Sequence, residues 1–150
     1  MRLALGCDEA AYDLKLTLKA FLEQAGHQVT DFGTFDAAPV LYPDIAEQAA
    51  RSIVRGDNER GILLCGTGIG MAISANKIRG IRAAQCHDTY SAERAQKSND
   101  AQVITIGARV VGPELAKAIV AAYLQSSFQP GSSSPKVARI LDLEKVQAAG

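Results

Sequence analysis

The chain has 150 residues, 47% of them apolar, and its 16 Lys and Arg balance 16 Asp and Glu. This length predicts a single domain with a sizeable core, and zero formal net charge argues against a protein that holds nucleic acid by general electrostatics. The amino terminus lacks a signal-peptide run, and no stretch approaches the roughly 18 apolar residues that a membrane span needs. We therefore expect a soluble, cytoplasmic protein.

The cysteine pattern argues against two further classes. Cys7, Cys65 and Cys86 are odd in number and widely spaced, which is not the pattern of a disulfide framework. No two of them have the CxxC spacing of a structural zinc site, so we expect no metal.

Apolar and amphipathic segments alternate along most of the chain, which predicts βαβ units and an α/β fold with a parallel sheet. A strand over residues 3–5 precedes a helix that carries Leu14, Leu18 and Leu22 on one face and ends at Gly26. A short strand over 27–32 follows it.

The second half of the predicted domain continues this alternation. A helix begins near Asp44 and stops at Gly56, and residues 61–65 predict a central strand because they are apolar without alternation. The remaining elements are predicted as a strand over 81–86, a helix over 88–97, a strand over 102–106 and a helix over 113–126. This completes five strands.

Residues 129–135 form the one linker-like stretch, rich in Ser, Pro and Gly, and precede a helix over about 136–148. We therefore divide the chain into a domain over residues 1–128 and a carboxyl-terminal segment over 129–150. The five-stranded core leaves this last helix no place beside it, so we expect it to lie as an arm on a partner subunit.

Residues that carry chemistry follow three of the predicted strands, at positions 6–9, 65–70 and 86–88. In an open parallel sheet, ligands bind outside the carboxyl ends of the strands. The glycine-rich turn at 65–70 directs backbone N–H groups to where an anion or a developing oxyanion is stabilised, although tight-turn geometry alone also explains its glycines. Cys65 stands directly before this turn, where a thiolate is favoured, and Cys7 and Cys86 are interpreted as small buried hydrophobes.

Several ordered blocks resemble the family of ribose-5-phosphate isomerase type B and galactose-6-phosphate isomerase. They are CGTGIG at 65–70, ANK at 75–77, GIRAA at 80–84, SNDA at 98–101 and GARVVG at 107–112. The resemblance runs from residue 2 to about 145. It implies a Rossmann-like, three-layer α/β/α subunit with a five-stranded parallel sheet, and a homodimer or dimer of dimers with active sites shared between subunits. It also implies aldose–ketose isomerisation of a sugar phosphate through a cis-enediolate, with no cofactor.

The resemblance also implies roles for individual residues. Cys65 resembles the base, and the catalytic set that we expect is Cys65, Thr67 and His87. The expected substrate-binding residues are Asp8, Glu9, Tyr42, Gly66, Gly68, Gly70, Ser98 and Asn99. Arg109 and Lys136 resemble phosphate ligands. Some relatives carry a glutamate base where this chain has Met71, so the proton transfer here falls to Cys65.

Three parts of the chain depart from the family pattern. Glu9 stands where members commonly have His, Ser98 stands in the slot of the ring-opening histidine, and Ser132 and Lys136 replace two tail arginines. A tetrulose 4-phosphate has no free hydroxyl that closes a five-membered ring, so an acyclic substrate explains a missing ring-opening histidine. Alternatively His87 supplies the acid–base help, because histidine is the side chain best suited to proton exchange near neutral pH, or it is simply a residue at the start of a helix.

Our leading hypothesis is an isomerase of the ribose 5-phosphate/ribulose 5-phosphate type with Cys65 as base. The block at 87–95 is similar to that of family members acting on tetrulose phosphates, so an erythrulose 4-phosphate isomerase is an alternative of about equal weight. A hexose 6-phosphate isomerase and a non-catalytic phosphosugar-binding module also stay open, whereas a receiver domain would need an aspartate where this chain has Cys65.

Overall fold

The computed structural model describes residues 1–148 and contains a five-stranded parallel sheet in the order β2-β1-β3-β5-β4. The strands are β1 (Arg2–Cys7), β2 (Gln28–Asp31), β3 (Arg60–Cys65), β4 (Ala83–Gln85) and β5 (Val103–Gly107). The helices are α1 (Tyr12–Gln24), α2 (Tyr42–Val54), α3 (Ile69–Ala75), α4 (Thr89–Lys97), α5 (Pro113–Leu124) and α6 (Ser134–Ala148). The predicted three-layer α/β fold is confirmed.

Helices cover both faces of the sheet. Apolar side chains of α1, α4 and α5 form one buried cluster with Ile62 and Leu64 of β3, and those of α2 and α3 form a second cluster with Leu63 and Cys65 of the same strand. Successive side chains of a strand point to opposite faces. The unbroken apolar run of β3 therefore reflects burial on both sides, as predicted.

Most element boundaries differ from the predictions by one or two residues, and two of the differences have an identifiable cause. The helix expected from Asp44 begins at Tyr42, because Pro43 occupies its first turn, where proline is favoured. The strand expected over 81–86 is reduced to Ala83–Gln85, because the Ile81 N–H closes a turn onto the Ile78 carbonyl and the Arg82 N–H donates to the Gln102 side chain at 2.9 Å. Both differences come from local contacts that the apolar pattern does not encode.

Helix α6 forms over residues close to those predicted and contacts its own chain through Glu144. The two carboxylate oxygens of Glu144 accept from the Gly80 N–H at 3.2 and 3.0 Å. Packing of this arm on a partner subunit stays a prediction. Within residues 1–148, none of the helices combines the length and the apolarity that crossing a bilayer requires.

Candidate active site

The register of the sheet brings three strand ends together. Cys7 of β1 lies beside Leu64 of β3, and Cys65 lies beside Gly107 of β5. The Asp8 N–H continues this pairing by donating to the Leu64 carbonyl at 3.1 Å. The residues after β1, β3 and β5 therefore line one edge of the sheet, as the strand-end argument predicts.

The Cys65 thiol faces the backbone of the glycine-rich loop that follows it. Its side chain is buried, and the Gly68 N–H donates to Sγ at 3.0 Å. A backbone donor of this kind favours a sulfur that carries negative charge. The geometry thus places a thiol, whose thiolate form can accept a proton, directly beside N–H groups able to face an anion.

The other two thiols differ from Cys65. Cys7 and Cys86 are fully buried, and burial raises the pKa of each to about 12. Both are therefore neutral thiols at physiological pH, and their interpretation as small buried hydrophobes is confirmed.

Two side chains that the sequence analysis missed hold the loop over residues 65–70. Thr105 Oγ1 donates to the Gly68 carbonyl at 2.8 Å, and Gln85 Nε2 donates to the Thr67 carbonyl at 2.6 Å. Gly68 has a φ of 77°, a left-handed conformation that glycine adopts without strain. A polar residue in the apolar strand β5 was the available signal for Thr105.

Tyr42 closes one side of this loop. It is the first residue of α2, and its ring lies on Gly70 so closely that a side chain at position 70 would overlap it. Met71 is fully buried in the cluster below. Tyr42 therefore lies beside the loop, and its role in lining the sugar pocket stays a prediction.

Asp8 and Glu9 place two carboxylates after β1. Asp8 Oδ1 accepts from the Ala11 N–H at 3.2 Å, and Glu9 Oε2 accepts from the Val40 N–H at 3.2 Å. Burial and the neighbouring Glu9 charge raise the pKa of Asp8. Carboxylates accept hydrogen bonds from hydroxyls, and this pair of like charges suits the polyol part of a substrate better than its phosphate.

Arg109 follows β5 and lies against the same loop. Its backbone N–H donates to the Gly66 carbonyl at 3.0 Å, and its Nη1 is 3.3 Å from where a Cβ on Gly66 would stand. Its charge acts to lower the pKa of Asp8 against the effects that raise it. The guanidinium is exposed and is the cation that this edge offers to an anion.

His87 follows β4 and contacts the end of β5. Its Nε2 accepts from the Gly107 N–H at 2.9 Å. An imidazole nitrogen that accepts carries no proton, so the ring is neutral in this arrangement and its proton is on Nδ1. Only Nδ1 is left to exchange a proton with a ligand.

Ser98 and Asn99 are not at this edge. Helix α4 begins beyond β4 and runs back toward the start of β5, so the residues after it lie at the opposite edge. Ser98 Oγ accepts from Arg94 Nε at 2.8 Å and from Arg94 Nη2 at 2.5 Å, and the Asn99 carbonyl accepts from Arg82 Nε at 3.0 Å. Arg94 and Arg82 were not singled out from the sequence.

The expected site residues thus fall into separate groups. The carboxyl-edge group is Asp8, Glu9, Tyr42, residues 65–70, His87 and Arg109, and the opposite-edge pair is Ser98 and Asn99. Lys136 is exposed in the first turn of α6. Over residues 1–148, no side-chain hydrogen bond or ion pair joins Ser98, Asn99 or Lys136 to the carboxyl-edge group. Nor do three His, Cys, Asp or Glu side chains cluster as a metal site in this part of the chain.

The chain is similar to known proteins over most of its length. A family model described as Ribose/Galactose Isomerase matches residues 3–140. The chain is 57% identical over 142 residues to a D-erythrulose-4-phosphate isomerase of Pectobacterium atrosepticum, covering 93% of each chain. It is 56% identical to a Ribose-5-P isomerase B of Listeria innocua, covering 91% of this chain and 93% of the relative. A solved structure of ribose-5-phosphate isomerase B from Clostridium thermocellum superposes with a TM-score of 0.96 at 41% identity, covering 98% of this chain and 99% of that one.

Proposed function

The chain belongs to the ribose/galactose isomerase family, and we propose that it interconverts a tetrulose 4-phosphate and its aldose in the cytoplasm, with Cys65 as the base. That it is a sugar-phosphate isomerase follows from relatives that carry that activity in their names over nearly the whole chain. The same names weigh against a non-catalytic binding module. What is proposed beyond this is the substrate, the residue roles and the assembly.

Cys65 moves the proton between the two reacting carbons. In the direction from ketose to aldose, the thiolate takes a proton from carbon 1, and the electron pair of that C–H bond forms the carbon–carbon double bond of a cis-enediolate. The thiol then returns the proton to carbon 2, while a hydroxyl proton moves from oxygen 1 to oxygen 2. The Gly68 N–H at 3.0 Å from Sγ supports the thiolate before the transfer.

The loop stabilises the negative charge that develops on the enediolate oxygens. Gly66, Thr67, Gly68 and Gly70 bring backbone N–H groups and one hydroxyl to the space beyond Cys65, and donors fixed before the reaction need no reorganisation during it. Asp8, Glu9 and Tyr42 bind substrate hydroxyls along one side. Arg109 and Lys136 bind the phosphate, the former through a planar guanidinium and the latter as a point charge.

A second copy of the chain completes this site. Asn99 cannot reach the reacting oxygens beside Cys65 of its own chain, because it lies at the opposite edge of the sheet. A homodimer in which the opposite-edge pair and Lys136 of one subunit face the carboxyl-edge group of the other joins all the expected residues. Each dimer then holds two equivalent sites.

The observation that carries the substrate assignment is Ser98. It occupies the slot in which pentose-phosphate members of the family have a ring-opening histidine, and its Oγ accepts from two nitrogens of Arg94. A serine so engaged cannot replace a histidine as acid–base catalyst. A tetrulose 4-phosphate is acyclic and needs no ring opening, and the Pectobacterium relative at 57% identity is named for such a substrate.

Ribose 5-phosphate is the second candidate. The Listeria relative at 56% identity is named for a pentose phosphate, and Nδ1 of His87 is not engaged within the described part of the chain. On this alternative His87 belongs to the catalytic set and opens the sugar ring through Nδ1.

A side-by-side isomerase assay decides between them. The purified protein is given D-erythrulose 4-phosphate, L-erythrulose 4-phosphate and ribose 5-phosphate with EDTA present, and kcat/KM is measured for each. We expect a tetrulose 4-phosphate to exceed ribose 5-phosphate by about 100-fold or more, the size of a loss of acid–base catalysis. A preference for ribose 5-phosphate contradicts the substrate assignment, and inactivity on all three contradicts the proposed function.

Mixing two inactive variants tests the shared site. Cys65→Ala removes the base from one chain and Asn99→Ala removes the other contribution, so each homodimer has two defective sites. A mixed dimer regains one intact site, and an equal mixture should recover about a quarter of wild-type activity. Cys65→Ala mixed with Thr67→Ala is the matched control, because both changes lie in the carboxyl-edge group and both remove a residue of the catalytic set. Equal recovery in the two mixtures contradicts the shared site.

A further inference from the structure

The side chain of His87 extends the hydrogen-bond ladder between β4 and β5 by one hydrogen bond. The Val103 N–H of β5 donates to the Arg82 carbonyl, and the Cys86 N–H donates to the Thr105 carbonyl at 3.0 Å. Parallel ladders advance two residues per rung, so the next donor is the Gly107 N–H and its regular acceptor is the Cys86 carbonyl. Instead the Gly107 N–H donates to Nε2 of His87 at 2.9 Å. An imidazole nitrogen takes the place of a strand carbonyl.

Gly107 packs directly against the loop over residues 65–70. A Cβ on Gly107 would stand 2.7 Å from the Thr67 Cα and carbonyl carbon, so the two backbones are in direct contact. The next two N–H groups of the chain, those of Ala108 and Arg109, donate to the carbonyls of Cys65 and Gly66 at 2.9 and 3.0 Å. The position of Gly107 therefore determines where the base, the loop and Arg109 stand relative to one another.

We propose that His87 is a positioning residue, which holds Gly107 through its Nε2 acceptor and so fixes the loop beside Cys65. Gln85, two residues earlier, supports the same loop by donating to the Thr67 carbonyl at 2.6 Å. Gln85 at the end of β4 thus contacts the loop itself, and His87 contacts the residue against which the loop packs. The inference rests on the proposed function in taking residues 65–70 as part of the site and in taking an acyclic tetrulose 4-phosphate, which needs no ring opening by His87, as the substrate.

A positioning role requires an acceptor at one point in space and requires no titration. His87→Gln places an amide oxygen at about the reach of Nε2, whereas His87→Asn carries the same amide one bond shorter, at the reach of Nδ1. Neither amide is a general acid or base near neutral pH. The pair therefore separates an acceptor from an acid–base group with matched chemistry.

The direct readout is the exchange rate of the Gly107 amide hydrogen, measured by NMR on isotope-labelled protein. We expect His87→Gln to keep the wild-type rate and His87→Asn and His87→Ala to exchange about 10-fold faster or more, because their Gly107 N–H has lost its acceptor. The Gly61 amide, which donates to the Gln102 carbonyl at the other end of the β3–β5 pair, should be unchanged in all three. Equal Gly107 exchange in all variants overturns the proposal.

Turnover is the second readout. With D-erythrulose 4-phosphate as substrate, we expect kcat of His87→Gln within about 3-fold of wild type and kcat of His87→Asn lowered about 10- to 100-fold, the effect of a misplaced loop. Loss of turnover in the glutamine variant equal to that in the asparagine variant overturns the proposal in favour of acid–base chemistry. If the wild-type protein isomerises none of the sugar phosphates, the proposed function fails and Gly107 exchange still decides the role of His87.

Discussion

The two edges of the sheet hold their functional residues by different means. At the carboxyl edge, backbone contacts dominate: the Gly68 N–H faces the Cys65 thiol, and the Arg109 N–H is bound to the Gly66 carbonyl. At the opposite edge, side chains dominate, since two nitrogens of Arg94 hold Ser98 Oγ. A backbone arrangement survives most substitutions of its neighbours, whereas a side-chain arrangement changes with a single one. We therefore expect reaction chemistry to be determined at the first edge and substrate choice at the second.

The largest effect is expected from removing the base. Cys65→Ser should lower kcat about 100- to 10,000-fold with little change in KM, because a hydroxyl is a far weaker proton acceptor than a thiolate while the binding contacts stay. Steady-state kinetics with the preferred sugar phosphate measure both constants. Cys86→Ala is the control and should keep wild-type turnover, and near-normal turnover of Cys65→Ser would show that another group is the base.

The carboxyl edge also depends on a buried ion pair, formed by Lys15 and Asp31. Lys15 is fully buried, and its Nζ donates to Asp31 Oδ1 at 2.8 Å and to the Thr34 carbonyl at 2.5 Å. Thr34 in turn donates its N–H to the Cys7 carbonyl, directly before Asp8. This pair therefore secures the segment that leads from β2 toward Tyr42.

Lys15→Met should lower the free energy of unfolding by about 3–5 kcal/mol, because it leaves a largely buried carboxylate without its closest cation. Lys19→Met is the matched control. Lys19 is 3.6 Å from the other Asp31 oxygen and its side chain is 35% exposed, so its loss should change stability by less than about 1 kcal/mol. Urea unfolding at one fixed protein concentration measures both. Equal effects would mean that Asp31, rather than burial of Lys15, carries the stability.

A smaller effect is expected from removing the side chains proposed to bind the phosphate, which belong to different parts of the fold. Arg109→Ala and Lys136→Ala should each raise KM about 10-fold and leave kcat within a few-fold, because they remove contacts made in both the ground state and the transition state. Substrate titration at constant ionic strength measures this. Lys117→Ala, which removes a partly exposed cation paired with Glu114 on α5, is the control. A fall in kcat with unchanged KM would place the phosphate elsewhere.

The smallest effect is expected from restoring a histidine at the opposite edge. Ser98→His should raise kcat/KM for ribose 5-phosphate a few-fold and leave the value for a tetrulose 4-phosphate nearly unchanged, because only a cyclic sugar benefits from an added acid–base group. Ser98→Asn is the control for loss of the Arg94 contact. The comparison of the two edges fails if Ser98→His lowers the activity on both substrates equally.

Most of the fold follows from apolar patterning, and the exceptions are tertiary contacts. The apolar run of β3 and the periodic face of α1 were sufficient to predict those elements. Lys15 was not predicted to be buried, because it is a charged residue whose compensation by Asp31 and Thr34 comes from a distant part of the chain. The shortening of β4 depends in the same way on the side chain of Gln102.

The candidate site also has a part that the sequence predicted and a part that depends on tertiary contacts. The strand-end rule predicted that Asp8, Cys65 and the residues after β4 would meet at one edge. The contact of Glu9 with Val40 was not foreseen, because the segment before Tyr42 has no regular structure and its path depends on where α2 packs. Asn99 is far from Cys65 because α4 runs back toward the start of β5. A site shared between two subunits was predicted only from the family resemblance.

The contact between Gly107 and Thr67 limits how this protein can diverge. Because no Cβ fits at position 107, a saturation-mutagenesis library would be expected to retain glycine alone there. Position 98, held by a single side chain, would tolerate several residues. Relatives with other substrates would then differ at the opposite edge and on the carboxyl-terminal arm. Gly107, which packs against the loop beside Cys65, would stay unchanged.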